Sequence, residues 1–175
     1  DCCGRVKLDA LKEALCPETI LVSIMYVNNE VGTVQPVEEA ASIVKDYNPS
    51  ILFHSDAVQG FGKYRIYPKR QKIDLLSVSG HKIHGPKGTG FLYIGEKVKI
   101  RPILFGGGQQ RDIRSGTENV PGIAGLGLAA ELAYKDFDIK TALMRELKEY
   151  FISEIGKMEN TVIHGVADEG SAPHI

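Results

Sequence analysis

Tryptophan is absent from the 175 residues, and only three cysteines occur, two of them adjacent at Cys2 and Cys3. With Cys16 they make no disulfide framework, so a reducing compartment such as the cytoplasm is the simpler reading. No Cys-x-x-Cys pair exists, which leaves a zinc site without ligands at usable spacing. Charge of one sign is missing as well. Lys plus Arg number 21 against 22 Asp plus Glu, and a formal net charge of -1 leaves no basic surplus for nucleic acid. Apolar runs such as residues 20–27 fall far short of the ~20 residues that a membrane span needs. The opening Asp-Cys-Cys-Gly has neither the basic nor the apolar region of a signal peptide. Neither nucleic acid nor membrane is expected as a partner. The remaining balance, 43% hydrophobic and 25% charged, is that of a globular domain and not of a disordered, collagenous or coiled-coil chain. With no initial Met and an abrupt Ser-Ala-Pro-His-Ile ending, the sequence reads as cut at both ends.

Leu8, Leu11 and Leu15 recur at helical spacing, with Asp9 as the expected cap and Pro17 just beyond. Short apolar runs predict strands at residues 20–26, 51–55, 73–79 and 91–94, and a last one at 161–163. Helices are expected at 37–47, with Pro36 at its first position and Asn48-Pro49 ending it, at 120–134, and at 139–158 behind Asp138. Strands alternate with helices, and the strand runs read as apolar on both faces, so the expected class is α/β with a mostly parallel sheet. Glycine-rich loops give way to charged helix near residue 130, which sets the expected boundary between a domain over 1–130 and connecting helices with the start of a second over 131–175.

Polar groups cluster after each predicted strand: Asn28, Asn29 and Glu30; Asp56 and Gln59; Ser79, His81 and Lys82. In open α/β sheets this carboxyl edge binds ligands, although loops are polar in any case. The segment 77–90 fails as a P-loop, because Pro86 stands where the lysine belongs. His81 and His84 lack further metal ligands nearby in sequence. A Schiff-base lysine suits the segment better, with Lys82 beside a flat cofactor and Ser79 and His81 on its phosphate; a plain surface lysine is the alternative. A partly buried Asp56 needs a cation or several donors, and a protonated pyridine nitrogen is one such cation; capping the next turn is its other reading.

Four motifs stand in order: Val27-Asn-Asn-Glu-Val-Gly-Thr-Val-Gln-Pro36, His54-Ser-Asp-Ala-Val-Gln59, Ser79-Gly-His-Lys82 with Gly85-Pro-Lys-Gly88, and Gly106-Gly-Gly-Gln-Gln-Arg-Asp-Ile-Arg-Ser-Gly-Thr-Glu-Asn119. Together they resemble the cysteine desulfurases of the class V aminotransferase group, and within it the iron–sulfur-cluster and nitrogen-fixation branch. The resemblance runs from about Arg5 to Ile175. It implies the fold type I large domain of pyridoxal-phosphate enzymes plus the start of the small C-terminal domain. It implies pyridoxal 5'-phosphate held covalently by Lys82, Asp56 on the pyridine nitrogen, Asn29 and Gln59 on the side of the phenolic oxygen, and Ser79 and His81 on the phosphate. Thr117 would touch the phosphate of a neighbouring subunit's cofactor, as family members are homodimers. His54, His84 and Arg114 receive no role beyond packing or support of neighbouring site residues.

The implied reaction converts L-cysteine to L-alanine and leaves sulfur as an enzyme persulfide, for an iron–sulfur scaffold or another sulfur-acceptor protein. The family's nucleophilic cysteine and substrate-carboxylate arginine lie beyond Ile175, and its first phosphate loop and cofactor-stacking histidine before Asp1. Cys2, Cys3 and Cys16 do not replace that nucleophile by motif, so this chain alone is expected not to turn over cysteine. Exposed sheet edges are expected to favour oligomers. Two other functions stay open: another class V enzyme, an aminotransferase or selenocysteine lyase, and a non-catalytic module that binds a partner.

Overall fold

Three five-residue strands lie side by side in chain order, β1 (Leu21–Met25), β2 (Leu52–Asp56) and β3 (Leu75–Ser79), each parallel to its neighbour; β4 (Gly90–Ile94) pairs antiparallel with β3 at the edge. Among the described residues four α-helices accompany them: α1 (Leu8–Ala14), α2 (Val37–Tyr47), α3 (Val120–Tyr134) and α4 (Phe137–Ile155). This computed structural model describes residues 1–165 and 170–175. The α/β class with a mostly parallel sheet is the one expected.

The core lies on one side of the sheet. Val37, Ala40, Ala41 and Val44 recur at helical spacing on α2, all buried. They meet Phe53, Leu76 and Val78, the alternate residues of β2 and β3. Small side chains at 40 and 41 let the helix approach the sheet closely. The other side of the sheet departs from expectation. There Ser23, His54 and Ser77 take the places where apolar residues were expected, and Leu21 and Leu92 are 47% and 46% exposed. α3 is apolar on nearly every side, yet Val120, Ile123, Leu128 and Leu132 are exposed, a composition suited to a helix with cover on more than one face.

Several element ends differ from the sequence reading. β2 runs one residue later and takes in Asp56. Pro36 occupies the cap of α2 and not its first position. At α1 the cap is Lys7, and Asp9 falls in the first turn, where a carboxylate still favours the helix dipole. α4 begins earlier, behind a left-handed Asp136, and Asp138 in its first turn bonds Arg65 instead of capping. Residues 161–163 form no strand, since no described strand lies beside them to supply a ladder.

A half-buried carboxylate joins three elements. Asp74 Oδ2 accepts the backbone N–H of Phe53 at 2.7 Å and the ammonium of Lys45 at 2.5 Å. Lys45, in the last turn of α2, also donates to the carbonyl of Ile51 at 2.6 Å. Replacing Asp74 with Ala leaves a strand N–H and an ammonium unpaired, which costs roughly 2–4 kcal/mol. Urea unfolding of Asp74→Ala should show that loss, and Asp74→Asn a smaller one; a change below about 0.5 kcal/mol in both would refute the joint's importance.

Candidate active site

The parallel ladder brings the carboxyl ends of β1, β2 and β3 into a row, with Met25 beside Asp56 and Asp56 beside Ser77. The loops that leave those ends carry the expected groups. After β1, Asn28 is spent on structure: its Oδ1 accepts the N–H groups of Glu30 and Val31 at 2.9 and 3.0 Å, and its carbonyl accepts the N–H of Gly32. Gly32 turns there at φ +69°, a conformation that glycine adopts without strain. Asn29 is left exposed, its amide donating to Glu30 Oε1 at 2.8 Å. Of the two asparagines, Asn29 is the one free to turn toward a ligand.

Asp56 ends β2 half-buried. Its Oδ1 accepts the N–H of Val58 at 2.9 Å, so the turn-capping role is real. Its other oxygen has no hydrogen bond or ion pair among the described residues, which leaves it available to a cationic ring nitrogen. The side chain of Gln59, on the following turn, is likewise unpaired among the described residues.

From β3 the chain enters a single tight turn, Gly80–Ile83. Ser79 Oγ and His81 Nδ1 sit 2.8 Å apart at its start, and Lys82 is exposed. Ile83 anchors the turn by packing on Leu126 and Ala129 of α3. A Cβ at Gly80 would lie 2.6 Å from Thr89 Oγ1 and 3.0 Å from Leu126, so only glycine fits this approach. The Lys82 amine forms no ion pair among the described residues. The parts of a pyridoxal-phosphate site therefore fit one edge: an exposed amine, an unpaired carboxylate oxygen, and a hydroxyl–imidazole pair for an anion.

Thr117 lies apart from this group. It is exposed on the loop before α3 and makes no hydrogen bond with the other candidate residues. Arg114 donates to the neighbouring carbonyl of Ser115, and His84 closes the Gly80–Ile83 turn at φ 64°.

The residue that sequence reasoning passed over is His54. Its Nδ1 meets Ser23 Oγ at 2.7 Å on β1, and its Nε2 meets Ser77 Oγ at 2.8 Å on β3. One imidazole thus ties three strands across the open face, two residues before Asp56 and on the same face. Burial lowers its pKa below 6.5, and the nearby Asp56 charge opposes that shift only in part. The period of two in Leu52–Asp56 was the available signal, since it sets His54 and Asp56 on one side.

The family model for class-V aminotransferases matches residues 1–175. A putative cysteine desulfurase IscS 1 of Bacillus subtilis is 49% identical over 172 residues, 98% of this chain and 45% of that protein. A solved NifS-like protein superposes with a TM-score of 0.93 at 43% identity, covering 99% of this chain and 47% of its own. DndA from Streptomyces lividans gives 0.85 at 36% identity, covering 98% and 49%. The chain spans about half the length of the relatives it matches.

Two histidines make stability depend on pH in a definite direction. His54 titrates below 6.5 in the fold, and His174 is lowered from 6.5 to about 4 by burial and neighbouring lysines. Between those values the unfolded chain binds more protons than the folded one, so stability rises with pH. The urea midpoint is expected to hold above pH 6.5 and to fall as pH drops from 6.5 toward 4. His54→Gln and His174→Gln should each flatten that slope; an unchanged slope in both would contradict the assignment. His54→Ala, which removes both serine bonds, should also lose about 2 kcal/mol at pH 7.5.

Proposed function

The chain belongs to the class-V aminotransferase family, and on that premise we propose that it carries the cofactor-binding part of a pyridoxal-phosphate-dependent cysteine desulfurase. The observation behind this reading is the convergence of Asn29, Asp56, Gln59, Ser79, His81 and Lys82 at the carboxyl ends of three adjacent strands. The relatives named cysteine desulfurase support the choice of substrate.

Bound pyridoxal phosphate supplies an electron sink that weakens the bonds at the substrate's α carbon. The chain's own residues hold and poise it. The free oxygen of Asp56 keeps a proton on the ring nitrogen. Ser79 and His81 bind the phosphate, and Asn29 and Gln59 orient the ring from the side of its phenolic oxygen. Lys82 Nζ is the covalent tether and the carrier of the substrate's α proton. The overall exchange is balanced: L-cysteine and an enzyme thiol give L-alanine and an enzyme persulfide. Cys2, Cys3 and Cys16 all precede the first site loop, and none is assigned as that thiol.

In this reading residues 1–130 belong to the cofactor domain and 131–175 lead into a second. The protein pairs as a homodimer in which Thr117 serves the partner's cofactor, a role suited to its exposure. Sulfur then passes to an iron–sulfur scaffold or other acceptor protein. Three free thiols suit a reducing, cytoplasmic setting.

Titration with pyridoxal phosphate, borohydride reduction and peptide mass mapping tests the site. A stoichiometric adduct on Lys82 is expected, lost in Lys82→Ala, with cofactor binding weakened about tenfold or more in Asp56→Asn. Labelling scattered over surface lysines would sink the reading.

A further inference from the structure

α4 and the segment after β2 line an open pocket of about 360 Å³. Lys63 and Tyr64 form one wall, Thr141 and Arg145 of α4 another, and Pro173 the end. Residues 138, 141, 145 and 148 share one face of α4, so Arg145 and Lys148 stand on successive turns, and Arg145 lines the pocket with Lys63. The volume is within the ~300–1,000 Å³ of small-molecule sites.

Among the described residues the charges around this space do not balance. Among the described residues neither Lys63, Arg145 nor Lys148 forms an ion pair. Lys63 is half-buried, which lowers its amine pKa, and its bond is to the carbonyl of Lys82 at 3.4 Å. Lys148 donates to Ser171 Oγ and to the carbonyl of Ala172 at 2.8 Å, both neutral acceptors. Among the described residues Asp138 is the one carboxylate in the wall, and Arg65 already holds both its oxygens at 3.2 and 3.0 Å. Its side chain is 83% exposed, turned to solvent. Beyond Pro173, the buried Nδ1 of His174 has no hydrogen-bond partner among the described residues. Burial first, and then the charges of Lys63, Lys148 and Lys82, hold that imidazole neutral down to about pH 4.

Partly buried cations without a counter-charge are unfavourable, and an arginine fork beside an ammonium matches the geometry of an oxyanion. We infer that this cavity binds the phosphate or carboxylate group of a small molecule, held by Arg145 and Lys63. This site shares no lining side chain with the Ser79–His81 pair or the strand-end cluster, and it touches that cluster through the bond from Lys63 to the Lys82 carbonyl.

Calorimetric titration of the full chain with inorganic phosphate, and separately with succinate, against chloride at matched ionic strength tests the site. At least one probe should bind saturably, and whichever binds more tightly identifies the group as phosphate or carboxylate. Arg145→Gln and Lys63→Gln should each weaken it by about tenfold or more, with Arg145→Lys in between. Binding should persist in a Ser79→Ala/His81→Ala double variant. Arg145→Glu supplies a carboxylate for Lys63, so it should abolish the response without lowering the unliganded melting temperature. Saturable binding by neither probe, binding that survives both glutamine variants, or loss in the double variant instead would overturn the inference.

Discussion

The carboxylate of Asp74 sets the register on which the strand-end cluster depends. It takes the N–H of Phe53, while its own backbone N–H donates to the Phe53 carbonyl at 2.9 Å. That double contact closes the start of the β2–β3 ladder, after which His54 opposes Leu75 and Asp56 opposes Ser77. A slip of one residue would turn Asp56 and His54 into the apolar layer beneath α2 and bring Phe53 to the open face. Lys45 adds the helix to the same joint, so the register and the cover over the core are secured together.

Order at the site is graded outward from that joint. Asp56 and Gln59 sit on the central strand and its first turn. Lys82 sits one turn beyond β3, on a segment whose buried Ile83 is clamped by α3 while its amine stays in solvent. The side chain that must reach a ligand is thus free, and the backbone beneath it is not. His54 performs the matching task on the open face, where a neutral imidazole between two serine hydroxyls leaves the Asp56 charge without an ion pair among the described residues. A lysine or arginine at 54 would supply that cation and compete with a ligand for it.

What was legible in the sequence was whatever depends on neighbours along the chain. The span of α2 was readable because Pro36 and Asn48-Pro49 punctuate it, although Pro36 is its cap and not its first residue, and the polar residues after each strand were readable because the period changes there. His54 was not, because its partners Ser23 and Ser77 lie 31 and 23 residues away and meet it only through strand register. The start of α4 was missed because Asp136 takes a left-handed conformation that no composition rule assigns to aspartate specifically. The open face of the sheet was misread for the same reason as His54: short runs show hydrophobicity, but which side has cover is decided by elements elsewhere in the chain.

The Gly80–Ile83 turn stands between two electrostatic environments of opposite need. Asp56, at the neighbouring strand end, keeps one carboxylate oxygen unpaired among the described residues; Lys63, a cation without an ion pair among them, bonds the carbonyl of Lys82 itself. A peptide group that accepts from an ammonium has its dipole drawn toward that cation, so the position of Lys63 bears on the backbone from which the Lys82 side chain extends. Anything that neutralised Lys63 would relax this pull while leaving the strand register, set at Asp74, untouched. The two regions therefore share a boundary of one residue without sharing a side chain, and that arrangement follows from a four-residue turn packed between β3 and α3.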